Sequence, residues 1–160
     1  IMKNIIISFI VLFFAIESNA QIAKADIIAT GLTCSMCSKS IYKQLTSLPE
    51  VASVDTDLNT NTFTVTMKPN TNVSPKIFKD NVEKAGFFIG SLVLTMDSKT
   101  LENYINVEKK QVLNSKQVQV QILDKGFVTE KEFKKLAKKH KDIASYSAGN
   151  ENDFHFKITN

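Results

Sequence analysis

The sequence predicts an α+β protein, a βαββαβ sandwich followed by a smaller α+β unit. Three observations predict it. Apolar residues alternate with period two in some stretches and recur at three and four in others, and the two patterns follow each other in a fixed order from Lys24 to Met96. Turn and cap residues stand at the joints between them. The pattern then changes register after Met96, at the polar stretch Asp97-Ser98-Lys99-Thr100.

The chain has 160 residues and 43% apolar side chains, enough to bury one core or two small ones. Residues 1–20 read as an export signal. Met2, the expected start after Ile1, opens a short basic segment with Lys3 and Asn4. Ile5 to Ile16 is apolar apart from one Ser, and Ser18-Asn19-Ala20 offers small residues for cleavage before Gln21. That apolar run rises only about 18 Å as a helix, short of the roughly 30 Å of a bilayer core. The expectation is a periplasmic or secreted protein with no permanent membrane span, beginning at Gln21.

Asp26 to Gly31 reads as a β-strand. A helix follows with Cys37, Ile41, Leu45 and Leu48 on one face, ended by Pro49. Val54, Thr56 and Leu58, then Phe63, Val65 and Met67, alternate on either side of a turn at Asn59-Thr60-Asn61, which is a hairpin pattern. Ser74-Pro75 opens a second helix with Ile77, Phe78, Val82 and Ala85 as its apolar stripe, and Gly86 closes it. Phe87 to Met96 is the last strand. This order closes into a ferredoxin-like split-βαβ sandwich, assigned to residues 21–96.

In residues 97–160 the pattern predicts strands at Leu101 to Val107 and Lys116 to Leu123 around a turn at Asn114-Ser115. Thr129 and Glu132 have capping-box spacing ahead of an amphipathic helix with Phe133, Leu136, Ala137 and His140. Ile143 to Tyr146 and Phe154, Phe156, Ile158 then read as a closing hairpin. An offset of about ninety residues lays Val51 on Ile143 and Phe63 near Phe154, the pattern of a degenerate repeat without its cysteines.

Composition narrows the chemistry. The net charge is +4, and every basic residue is Lys, so no guanidinium fork exists for guanine or phosphate, and nucleic acid is not an expected partner. The run Lys131, Lys134, Lys135, Lys138, Lys139, Lys141 reads as a solvated helix face. His140 and His155 read as a half-buried and an outward position. No phosphate loop, paired carboxylates or Ser–His–Asp set is legible, so the chain is not expected to be an enzyme.

Cys34 and Cys37 are the chain's pair of cysteines, separated by two residues between a strand and a helix. A helix N-terminus favours thiolate, and thiolates prefer Cu(I), Hg(II), Zn(II) or Cd(II) to Mg(II) and Ca(II). Two sulfurs under-coordinate tetrahedral Zn(II) and suffice for Cu(I) or Hg(II). The same spacing also suits a thiol–disulfide oxidoreductase, with Cys34 attacking and Cys37 resolving, or a short structural disulfide. Met36, between them, reads as a solvent-facing residue and not as a third ligand.

The stretch Gly31-Leu32-Thr33-Cys34-Ser35-Met36-Cys37 resembles the G-M-T-C-x-x-C loop of the heavy-metal-associated domain. That family includes copper chaperones, the periplasmic mercury-binding protein and the N-terminal domains of copper-transporting P-type ATPases. The resemblance runs from Ala25 to about Met96 and takes in the element order and the Ala85-Gly86-Phe87 turn. It implies a ferredoxin-like fold with one transition-metal ion, Cu(I) first and Hg(II) or Zn(II) after it, bound near the surface by the sulfurs of Cys34 and Cys37. It also implies a partner with thiols of its own, such as a metal-transporting ATPase or another acceptor. Leu32 stands for the family's usual Met, which packs under the loop. Phe87 stands where bacterial chaperones often have Tyr and eukaryotic ones Lys, so no hydroxyl or ammonium from that position assists the site.

Overall fold

The computed structural model describes residues 22–110, 115–150 and 152–159. The export signal expected at residues 1–20 and Asn114 of the turn expected at Asn114-Ser115 lie outside these residues.

The first half follows the predicted order. Strand β1 (Ile22–Thr30) leads to α1 (Ser35–Thr46), the hairpin β2 (Val51–Asp57) and β3 (Thr62–Met67), α2 (Lys76–Lys84) and β4 (Phe88–Asp97). All pairings among these strands are antiparallel, in the spatial order β2-β3-β1-β4 that the split-βαβ arrangement requires. Helices α1 and α2 pack on each other and on β2 and β4. Ile41, Leu45, Phe78 and Val82 meet Ile27, Phe63, Val65, Leu92 and Leu94 there, and every one of these side chains is 0% exposed. Each such burial contributes about 1.5–3 kcal/mol.

The joints work as their residues suggest. Asp57 accepts from the Asn59 N–H and the Thr60 hydroxyl, both at 2.9 Å, and Asn61 takes the left-handed conformation at φ 54°. These donors hold the Asp57 carboxyl below its usual range, the Asn59 N–H most strongly. The Ser74 hydroxyl accepts from Lys76 N–H at 3.3 Å at the start of α2. At its end Gly86 sits at φ +89°, its N–H bonded to Glu83 O at 2.9 Å while Phe87 N–H reaches Val82 O at 3.2 Å. Those crossed bonds are a Schellman motif, which satisfies carbonyls the helix leaves open.

The second half departs from expectation in two places. Leu101 to Val107 is not one strand. A 3₁₀ turn occupies Ser98–Asn103, followed by the short β5 (Ile105–Asn106). Asp97 accepts from Lys99 N–H at 2.9 Å, a side-chain cap that starts a turn where the extended chain would have continued, and the turn buries Thr100 and Leu101. Ile143 to Tyr146 is not a strand either. The helix α4 (Ala144–Ala148) stands there, and Gly149 ends it in the left-handed conformation at φ +65°. Ile143 and Tyr146 share the three-residue spacing of one helix face, and both pack into the same apolar cluster. The proposed repeat therefore aligns the strand β2 with the helix α4.

Strand β6 (Gln117–Ile122), α3 (Glu130–Lys139) and β7 (His155–Ile158) agree with the reading. Thr129 caps α3 by accepting from Glu132 N–H at 3.3 Å, as the spacing foretold. The six lysines of and just after α3 are exposed. Strand β6 pairs antiparallel with β4, β7 with β6, and β5 runs parallel to β7, giving one seven-stranded sheet, β2-β3-β1-β4-β6-β7-β5. Val118, Val120, Ile122, Phe156 and Ile158 join the same core as the first half. A second cluster of Val107, Leu123, Val128, Leu136 and Tyr146 lies beside it. Among the described residues no helix is long and apolar enough to cross a membrane.

Candidate metal site

The loop that carries the cysteines leaves the sheet at the end of β1 and enters α1. The Thr30 hydroxyl donates to Phe88 O at 3.2 Å, tying the end of β1 to the start of β4. The chain then turns at Gly31, φ +85°, a conformation that costs any L side chain. Leu32 and Phe87 are both half-buried against the main core, so Leu32 fills the place under the loop that the resemblance assigned to it. Cys34 is extended (φ −154°, ψ 159°) and caps α1 without a side-chain bond, while Cys37 N–H reaches Cys34 O at 3.1 Å.

This turn puts both sulfurs on one point. Cys34 Sγ lies 2.8 Å from Cys37 Sγ, both thiols are free, Cys34 is exposed and Cys37 half-buried. The hydrogen bond from Cys34, aided by Thr33, lowers the Cys37 thiol below its ordinary value, which favours its thiolate. Two sulfurs bonded at about 2.3 Å to a tetrahedral ion would stand about 3.8 Å apart, and further in a linear site. Binding a metal therefore requires the sulfurs to part by about 1 Å or more, a movement within reach of one rotamer change at exposed Cys34. No group of three or more His, Cys, Asp or Glu side chains placed to hold a metal occurs among the described residues. Met36 is 67% exposed, in agreement with its reading as a solvent-facing residue.

The histidines are placed differently from expectation. His140 is buried, edge-on to Tyr146. His155 is not outward: it is 1% exposed, because it alternates with Phe156 along β7 and both sides of that strand are covered. Its ring bonds Ser145 and Asp124. A Ser–His–Asp set is thus present, brought together from the end of β6, from α4 and from β7. Sequence reading missed it because the α4 segment was read as a strand and the residues are 10 and 31 positions from His155.

Residues 27–88 match the model of the heavy-metal-associated domain. Two solved structures of the yeast copper transporter domain Ccc2a, described in apo and Cu(I)-loaded states, are similar to this chain. One is 31% identical over 42% of this chain and 90% of its own, with a TM-score of 0.38. The other is 32% identical over 41% and 88%, with a TM-score of 0.37. No curated protein matches the chain.

Proposed function

Since the chain belongs to the heavy-metal-associated domain family through residues 27–88, we propose that it is an exported carrier of a soft metal ion, Cu(I) before Hg(II) or Zn(II). The observation that carries this reading is the pair of free sulfurs 2.8 Å apart on an exposed loop. Two thiolates satisfy Cu(I), whereas Zn(II) needs further donors that the described residues do not gather here. The exposure of Cys34 suits transfer. An incoming thiolate from a metal-transporting ATPase or another thiol-bearing acceptor reaches the ion on that side, and the Cys34 sulfur is the first to be displaced. No bond of the ion's cargo form is made or broken except metal–sulfur bonds, so the site acts as a carrier and not as a catalyst. Export rests on the apolar run Ile5 to Ile16 and the small residues before Gln21.

The test is anaerobic titration of the reduced chain with Cu(I) against a chromophoric competitor. One ion per chain is expected, with affinity falling by orders of magnitude in Cys34→Ser and in Cys37→Ser. A metal-free wild type, together with a mixed disulfide accumulating in Cys37→Ser, would replace the carrier with a thiol–disulfide oxidoreductase. Intact-mass measurement of exported protein tests the signal: the expected chain begins at Gln21, and retention of full-length protein in the membrane contradicts it.

A further inference from the structure

The two halves of the chain enclose a cavity of about 630 Å³, within the size range of small-molecule sites. Helix α2 and the start of β4 supply one wall, and the loop from β6 to α3 with the segment before β7 supplies the other. Neither cysteine lines it. Its apolar surface is made mostly of rings. Phe127 stands edge-on to Phe154 at 5.9 Å, Phe133 lies 5.5 Å from Tyr146, and all four line the cavity. Phe88 lines it as well and is 66% exposed, so the aromatic surface runs out to solvent, where an incoming apolar body meets it first.

Charge decides what else the ligand carries. Four carboxylates line the cavity among the described residues, and each has a partner. Asp124 accepts from the His155 backbone N–H at 2.7 Å and Asp153 from the Asn150 amide at 3.1 Å, while Glu130 faces Lys134 at 3.8 Å and Glu83 faces Lys79 at 4.0 Å. The lysines differ from one another. Lys76 spans both oxygens of Asp80, at 3.0 and 2.8 Å. Lys79 reaches Glu83 only at the outer limit of an ion pair and lies 5.9 Å over the Phe127 ring. Its stem lies against Gly126, where a Cβ would stand 2.6 Å from Lys79 Cε, so this close approach needs the glycine. Lys125, the next residue in the chain, is exposed, and its ammonium has no carboxylate or hydrogen-bond partner among the described residues. The acids of the cavity are matched and an ammonium is not, so an anion complements it better than a cation does.

We propose that this cavity binds an aromatic carboxylic acid, with its rings among Phe127, Phe133 and Phe154 and its carboxylate at Lys125 and Lys79. Tilted and edge-on rings hold an aromatic guest by offset and edge-to-face contact. The ammoniums of Lys79 and Lys125, on either side of Gly126, give the carboxylate charge-assisted hydrogen bonds. The site is separate from the cysteine loop and does not rest on the metal reading.

The experiment titrates the full chain with naphthylacetate, naphthylethanol and naphthylethylamine, which share one aromatic body and differ in charge. The chain has no Trp, so naphthyl emission reports binding directly. Expected is saturable binding of the acid below about 1 mM, at least about 10-fold tighter than the alcohol and the amine. Lys125→Glu should remove that preference and leave the alcohol unchanged, and Phe88→Ser should weaken all three; both residues are exposed, so both chains are expected to fold. Cys34→Ser/Cys37→Ser should lose metal and keep the acid. The proposal is overturned if the acid does not saturate, if the alcohol or the amine binds as tightly, or if Lys125→Glu and Phe88→Ser both bind the acid as the wild type does. Loss of the acid in the double cysteine variant would place it at the cysteine loop and overturn the proposal as well.

Discussion

Leu94 on β4 lies opposite Val120 on β6, and both side chains are 0% exposed. The outer edge of the ferredoxin-like sheet is therefore covered by the second half of the chain. A chain ending at Ser98 keeps every element of the βαββαβ unit and both cysteines, and is expected to fold and bind Cu(I). It also uncovers the β4 edge, whose unpaired N–H and C=O groups invite another strand. The expected outcome is reduced thermal stability with concentration-dependent dimerisation, read by sedimentation. A monomer as stable as the full chain would show that the β4–β6 ladder adds nothing.

Gly31 is where loop geometry and backbone sterics meet. At φ +85° a Cβ would lie 3.8 Å from Phe87 Cδ1, so space is adequate and the conformation itself is the obstacle. Gly31→Ala should destabilise the fold by about 1–2 kcal/mol, the cost of a left-handed L residue. If the loop relaxes instead, stability holds and Cu(I) affinity falls. Urea unfolding and metal competition on the same sample distinguish these, and no change in either contradicts the reading.

Cys37 should react at a lower pH than an ordinary thiol. Its thiol is lowered from the ordinary value of 9.0 by the Cys34 and Thr33 hydrogen bonds, so more of it is thiolate at neutral pH. Alkylation followed by peptide mass, run across pH, is expected to show Cys37 labelling with a midpoint below 9.0. Thr33→Val removes one of those donors and should move the midpoint up. A Cys37 midpoint at or above 9.0 would contradict the reading.

Tyr146→Phe isolates one buried hydrogen bond. The hydroxyl donates to Leu123 O at 2.6 Å, from a side chain 1% exposed, and its removal leaves that carbonyl short of a partner. A loss of about 1–2 kcal/mol in chemical unfolding is expected, with Cu(I) binding unchanged because the cysteine loop is built from other elements. A neutral substitution would mean that the carbonyl finds another donor.

What the sequence by itself determined is the first half of the protein and its cysteine loop. The signals there are local: alternation at Phe63, Val65 and Met67, the cap at Ser74-Pro75, the stop at Gly86, and two thiols within four consecutive residues. Each acts through its neighbours in the chain, so reading along the chain finds it. The tertiary structure decided the rest. Whether Ile143 to Tyr146 extends or coils depends on what Tyr146 packs against, namely Phe133 and His155, which are distant in sequence. The burial of His155 depends on strands and helices closing over both sides of β7. The meeting of Asp124, Ser145 and His155 has no sequence spacing at all, because hydrogen bonds act over about 3 Å in space and only folding brings those residues that close.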